Sequence, residues 1–156
     1  MTDDATAPSG PSRPIVVAAN RLPVMRDADD EWTPSPGGLV RALFPMLRDS
    51  GGTWVGWTGS DDDDAQPFTL DGVDLRPVPI TAAEHNDYYE GFANDSLWPL
   101  YHDAMRDPTF RTEQWEAYVT VNRRFADAIV AAAPADAVIW IHDYHLQLVP
   151  QLIREQ

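Results

Sequence analysis

The 156-residue sequence contains no cysteine. That excludes disulfides, thiolate nucleophiles and cysteine-ligated metals. Basic side chains are scarce: 11 Lys and Arg stand against 25 Asp and Glu, for a formal net charge of -14. A field of that sign repels phosphate backbones, and no local basic patch offsets it, so nucleic acid is not an expected partner. An anionic metabolite can still bind where a few basic groups or helix ends act locally. Long apolar runs are lacking too. The longest, Ala128 to Ile141, is broken by Pro134 and Asp136, so no membrane span and no membrane partner are expected. Residues 1–14 are acidic and rich in Ala, Ser, Pro and Gly, without the basic and apolar stretches of a secretory signal. They read as a disordered leader. The expectation is a soluble, reduced, cytoplasmic protein. What is present is a globular composition of one-domain length, 44% hydrophobic and 23% charged.

Order is expected from Ile15-Val16-Val17-Ala18-Ala19, a β-branched run suited to a strand covered on both faces. Asn20-Arg21-Leu22-Pro23 leaves that strand, and Asp27 to Pro36 reads as a loop. Gly37-Gly38 opens a helix carrying Leu39, Val40, Leu43, Met46 and Leu47, with Pro45 as an internal kink and Gly51-Gly52 as its end. Thr53 to Trp57 is a second strand, and Asp71-Gly72 between two apolar triplets predicts a hairpin. Thr81 and Glu84 have capping-box spacing, followed by two short aromatic-rich helices through Tyr101. Trp115 to Ala133 is the longest helix, stopped by Pro134. Ala137 to Ile141 is another doubly buried strand, and Leu146 to Arg154 a helix interrupted by Pro150. This order implies an α/β fold: a Rossmann-like parallel sheet with helices on both faces and a β-hairpin excursion.

Ligands of open α/β sheets bind beyond the carboxyl ends of the strands. Two stretches place polar groups there. The first is Asn20-Arg21 with the helix start at Gly37-Gly38, where free backbone N–H groups and the helix dipole attract anions. The competing reading is a plain tight turn, with Arg21 paired to a surface carboxylate. The second is His142-Asp143-Tyr144-His145, directly after a buried strand. Three ionisable groups there are costly unless hydrogen-bonded or used, which favours a ligand site. A metal site is a minority reading, because His-x-His spacing is missing and only His85 and His102 remain as further histidines. Asp61 to Asp64 reads as a solvated acidic loop rather than a metal-diphosphate motif. Trp54, Trp57, Tyr88, Tyr89, Trp98, Tyr101 and Tyr144 suit a hydrophobic core and equally a sugar site.

Several blocks resemble the trehalose-6-phosphate synthase family. They are Ile15 to Pro23, Pro36 to Leu39, Gly52 to Gly59, Tyr88 to Asn94, Leu97 to His102, Tyr118 to Asn122 and Ile139 to Leu146, in the family's order. Ala19 stands where a serine is common in that family. The resemblance implies a retaining glycosyltransferase of two Rossmann-like domains facing a cleft (the GT-B arrangement), which moves glucose from a nucleotide-glucose, usually UDP-glucose, to glucose 6-phosphate. It covers the front of the acceptor-side domain. Residues 15–156 are therefore expected to be an incomplete N-terminal domain without the C-terminal donor domain. By the same resemblance Arg21, Tyr89 and Trp98 would hold the acceptor phosphate, and Asp143 the acceptor sugar. Gly37 and Gly38 would lie against the donor diphosphate. No catalytic residue is assigned, because the family's basic pair and its histidine fall beyond Gln156. Neither a metal nor another cofactor is expected. A non-catalytic sugar-phosphate binding module is the alternative reading. The 156 residues alone are expected to be inactive and marginally folded, and self-association of a longer chain is left open.

Overall fold

The computed structural model describes residues 13–102, 105 and 107–156. All but the last two residues of the expected leader lie outside them. Strand β1 (Ile15–Arg21) is followed by a small antiparallel pair, β2 (Val24–Arg26) and β3 (Trp32–Pro34), and by helix α1 (Gly38–Ser50). Then come β4 (Thr53–Trp57) and the hairpin of β5 (Phe68–Leu70) and β6 (Val73–Pro77). One uninterrupted helical run follows: α2 (Ala82–Glu84), a π-helical segment (His85–Leu97) and α3 (Trp98–Tyr101). Helix α4 (Thr112–Ala132), β7 (Val138–Ile141), a 3-10 turn (Tyr144–Leu146) and α5 (Val149–Arg154) complete the described elements.

The sheet order is β5-β6-β4-β1-β7, with β6, β4, β1 and β7 parallel and β5 antiparallel at one edge. Period-2 alternation in β1 sends Val16 and Ala18 to one face and Val17 and Ala19 to the other. The first face is covered by the π-helical segment, α4 and α5, through Tyr88, Phe92, Tyr118, Phe125 and Val149. The second is covered by α1, through Leu43 and Leu47. The fold is thus the expected Rossmann-like sheet with helices on both faces.

Local signals held where their chemistry is short-ranged. Asp71 and Gly72 take φ 49° and 83°, the backbone of a tight hairpin turn. Thr81 and Glu84 form both bonds of the capping box, at 3.2 and 3.0 Å. Gly51 ends α1 at φ 65°.

Five expectations are corrected. Strand β1 runs on to Arg21, and its register with β4 slips between Ala18 and Arg21. The polar stretch 27–36 is not all loop: the Asp27 carboxylate accepts N–H bonds from Asp29 and Glu31, closing the turn between β2 and β3. The aromatic stretch forms one helical run rather than two helices, and the Trp98 N–H donates to Ala93, the i to i−5 bond of a π-helix. Strand β7 is not buried on both faces: Val138 and Trp140 are 42% and 45% exposed, because β7 is the edge of the described sheet and α1 does not reach it. Pro150 does not interrupt the last helix but sits in its first turn, where a missing N–H costs nothing.

Candidate functional site

The parallel strands β1, β4 and β7 end on the same side, and the predicted polar residues collect there. At the end of β1, past the register slip, the Trp54 indole N–H donates to the Arg21 carbonyl at 3.0 Å. Leu22 N–H reaches back to the Trp57 carbonyl at 2.7 Å. The Arg21 side chain lies over the Trp57 ring, 4.6 Å from its centroid, a cation-π contact. A β-carbon on Gly59, at φ +94°, would stand 2.2 Å from Arg21 Nη1, so the absent side chain makes room for the guanidinium. Among the described residues, none of the ion pairs includes Arg21. The guanidinium is seated on an aromatic ring, and no carboxylate of the described residues pairs with it. Next to it Asn20 is buried and accepts a hydrogen bond from Tyr88 at 2.8 Å. Burial raises the Tyr88 hydroxyl well above its ordinary range, so it stays a neutral donor.

At the end of β7 the ladder closes with His142 N–H donating to Ala18. Asp143 then takes φ 71°, and its carboxylate caps the next turn by accepting the Tyr144 N–H at 2.8 Å. Helix α4 fixes this turn from below. Tyr118 donates to the Tyr144 carbonyl at 2.6 Å, and Asn122 donates to His145 O and accepts from Leu148 N–H. Burial pushes the hydroxyls of Tyr118 and Tyr144 up to about 12. His145 is 7% exposed, and burial outweighs the neighbouring Asp143 charge, pushing the imidazole down to about 4. Among the described residues, neither of its ring nitrogens has a hydrogen-bond partner. An unmet buried polar group costs about 1–3 kcal/mol. Burial likewise lowers His142, whose ring stacks on Trp140.

A chain of ring contacts connects the two strand ends. From Arg21 it passes through Trp57 to His85 at 4.7 Å, to Tyr89 at 5.4 Å, to His145 at 5.3 Å and to Tyr144 at 4.2 Å. His102 extends it from Tyr144 to Trp98, at 6.5 and 4.6 Å. Ring contacts therefore connect Arg21, Tyr89 and Trp98, with Tyr89 in the middle and the half-exposed Trp98 at the far end, and Asp143 is the chain neighbour of Tyr144 in that series. A cavity of about 340 Å³ is lined by Arg21, Leu22, Trp54, Ser35, Pro36 and Leu39; Gly37 and Gly38 lie between the last two in sequence but are not part of its lining. Gly37 is the N-cap of α1, no acidic residue occupies the first turn, and the space beside Gly38 is open.

His85 was named in the sequence only as a spare histidine, yet it joins Trp57 to Tyr89 and pairs with Asp61 at 2.9 Å. Asp61 is thereby drawn from the acidic run to the edge of the site. No sequence signal links positions 61 and 85. Asn94 and Asn122 lay in quoted blocks without a stated role; Asn94 accepts from the Tyr144 hydroxyl at 3.1 Å. Among the described residues, no three His, Asp or Glu side chains are grouped to hold a metal ion. His142, Asp143 and His145 turn instead to Trp140, to the Tyr144 N–H and to two tyrosine rings. Among the described residues, no helix is long and apolar enough to cross a membrane.

The profile of glycosyltransferase family 20 matches residues 12–156. A trehalose-6-phosphate synthase of Mycolicibacterium smegmatis is 51% identical over 144 residues, which are 90% of this chain and 29% of that protein. The crystal structure of a UDP-forming α,α-trehalose-phosphate synthase from Burkholderia vietnamiensis superposes with a TM-score of 0.78 at 30% identity, over 92% of this chain and 31% of that one. A Burkholderia xenovorans synthase in complex with glucose-6-phosphate gives 0.73 at 30% identity, with the same coverage. The chain thus spans less than a third of the length of the relatives it matches.

Proposed function

Because the chain belongs to glycosyltransferase family 20, we propose that it forms the acceptor-side part of an α,α-trehalose-6-phosphate synthase, which transfers glucose from UDP-glucose to glucose 6-phosphate with retention. The observation that carries this reading is Arg21: a guanidinium that no carboxylate of the described residues pairs with, seated on Trp57 and linked by ring contacts to Tyr89, at the end of a parallel strand. A charge-assisted contact from such a group suits a phosphate dianion. In this reading Arg21, Tyr89 and Trp98 hold the acceptor phosphate and Asp143 accepts hydrogen bonds from acceptor hydroxyls. The N–H groups at Gly37 and Gly38 face the donor diphosphate, where charge develops as UDP departs. Residues 15–156 are part of the N-terminal domain of a GT-B enzyme, and the donor half comes from chain outside the matched segment. The 156 residues alone make no product. The reaction belongs in the cytoplasm, where nucleotide sugars and sugar phosphates are metabolised.

The test splices residues 12–156 into the M. smegmatis synthase in place of its matching segment. The chimaera is expected to form trehalose 6-phosphate. Arg21→Ala should raise its KM for glucose 6-phosphate about tenfold or more, the loss of one hydrogen bond to a charged group. The KM for UDP-glucose should stay within about twofold. A folded chimaera without turnover, or an unmoved acceptor KM, overturns the reading.

A further inference from the structure

Tyr89 and Tyr144 reach the strand ends from different elements, one from the π-helical segment and one from the turn after β7. Each stacks on His145, at 5.3 Å with 12° between planes and at 4.2 Å with 27°. The imidazole is thus the ring that both tyrosines share. Its backbone is referenced to a third element, since Asn122 of α4 donates to the His145 carbonyl at 3.0 Å. Stability does not account for an imidazole at this position. A phenyl ring would stack as well, and would avoid burying two nitrogens that no described residue partners.

We propose that His145 is a positioning residue, the plate that sets the spacing between Tyr89 and the Asp143-Tyr144 turn and so shapes the acceptor site. The proposal rests on the acceptor-site reading above and adds the residue that joins its two walls. Removing the plate takes from Tyr89 the ring it shares with Tyr144, so Tyr89 and the Asp143-Tyr144 turn lose their fixed spacing. The ring is neutral at working pH, so it brings no second cation to compete with Arg21 for an anionic acceptor.

The experiment uses the chimaera with His145→Ala and His145→Phe, read by steady-state kinetics in each substrate and by calorimetric titration of glucose 6-phosphate. Two stacking contacts are lost in His145→Ala, so the acceptor KM and Kd should rise about tenfold. The KM for UDP-glucose should move less than about twofold. His145→Phe keeps the stack and should stay within about threefold of the parent in acceptor KM, with a Tm at or above it. An unchanged acceptor KM in His145→Ala overturns the proposal. So does a folded His145→Phe as impaired as His145→Ala, or a rise in both KM values together. A parent chimaera that binds glucose 6-phosphate without turnover condemns the synthase reading and leaves the binding data to decide this one.

Discussion

Strands β1 and β7 lie side by side, pair in parallel from Ile15↔Val138 to Ala18↔Ile141, and carry the same kind of β-branched run. Their burial is opposite. Val16, Val17, Ala18 and Ala19 are 4% exposed or less, whereas Val138 and Trp140 are 42% and 45% exposed. The difference lies in the neighbours. β1 has a strand on each flank and helices on both faces, while β7 has β1 on one flank and packs only Ile139 and Ile141 into a core. An apolar run therefore describes the segment, and burial describes the segment's place in the sheet order.

The sharpest way to break this comparison is an ionised side chain on the same face of each strand. Val17→Asp should cost more than about 4 kcal/mol and unfold the chain, because an unpaired charge enters a closed core. Val138→Asp should cost less than about 1 kcal/mol. Urea unfolding followed by circular dichroism measures both, and equal losses would refute the exposed face of β7. A second test concerns the end of β7, where burial holds His145 down to about 4 from an ordinary 6.5. Its contribution is complete above 6.5 and is lost as pH falls through 6.5 toward 4, up to about 3 kcal/mol. His145→Phe should flatten that part of the pH-stability curve. Glu84, lowered chiefly by its hydrogen bonds from Arg124, adds a loss only below its ordinary 4.5. Next in size, Gly59→Ala sets a β-carbon against Arg21 at a positive φ. It should raise the acceptor KM severalfold and cost about 1 kcal/mol, by kinetics and thermal unfolding of the chimaera. The smallest expected effect is Trp140→Ser, within about 0.5 kcal/mol of wild type. The same urea unfolding measures it, and a loss near that of Val17→Asp would again refute the exposed face of β7.

The parts of the fold legible in the sequence are those whose partners are a few residues apart. The Thr81–Glu84 box, the Asp71-Gly72 turn and the left-handed Gly51 each complete their chemistry within one turn of chain. Strand and helix identities followed for the same reason, from local period. The exposure of Trp140, the β2–β3 pair and the π-helical segment depend on what packs beside them, which no local period encodes. The site divides likewise. Strand-end logic picked out Arg21, Gly37-Gly38 and the His142–His145 stretch. Singling out Tyr89, Trp98 and Asp143 needed a family resemblance, because positions 21, 89 and 143 meet only through the folded sheet. The Asp61–His85 pair and the stack on His145 had no signature in either.

The seat of Arg21 gives the chain an optical reporter. Trp57 is 1% exposed, its indole N–H is committed to the Ser60 carbonyl at 2.8 Å, and a guanidinium stands over its face. The emission energy of an indole follows the electric field along its ring, and an unsolvated indole has no water relaxation to blur the response. An anion that draws the guanidinium off the ring should therefore shift the Trp57 spectrum without touching the indole. Five other tryptophans share the chain, so the difference spectrum against Trp57→Phe isolates that signal. Occupancy at the end of β1 then becomes readable in real time, with no dye, no coupled assay and no turnover.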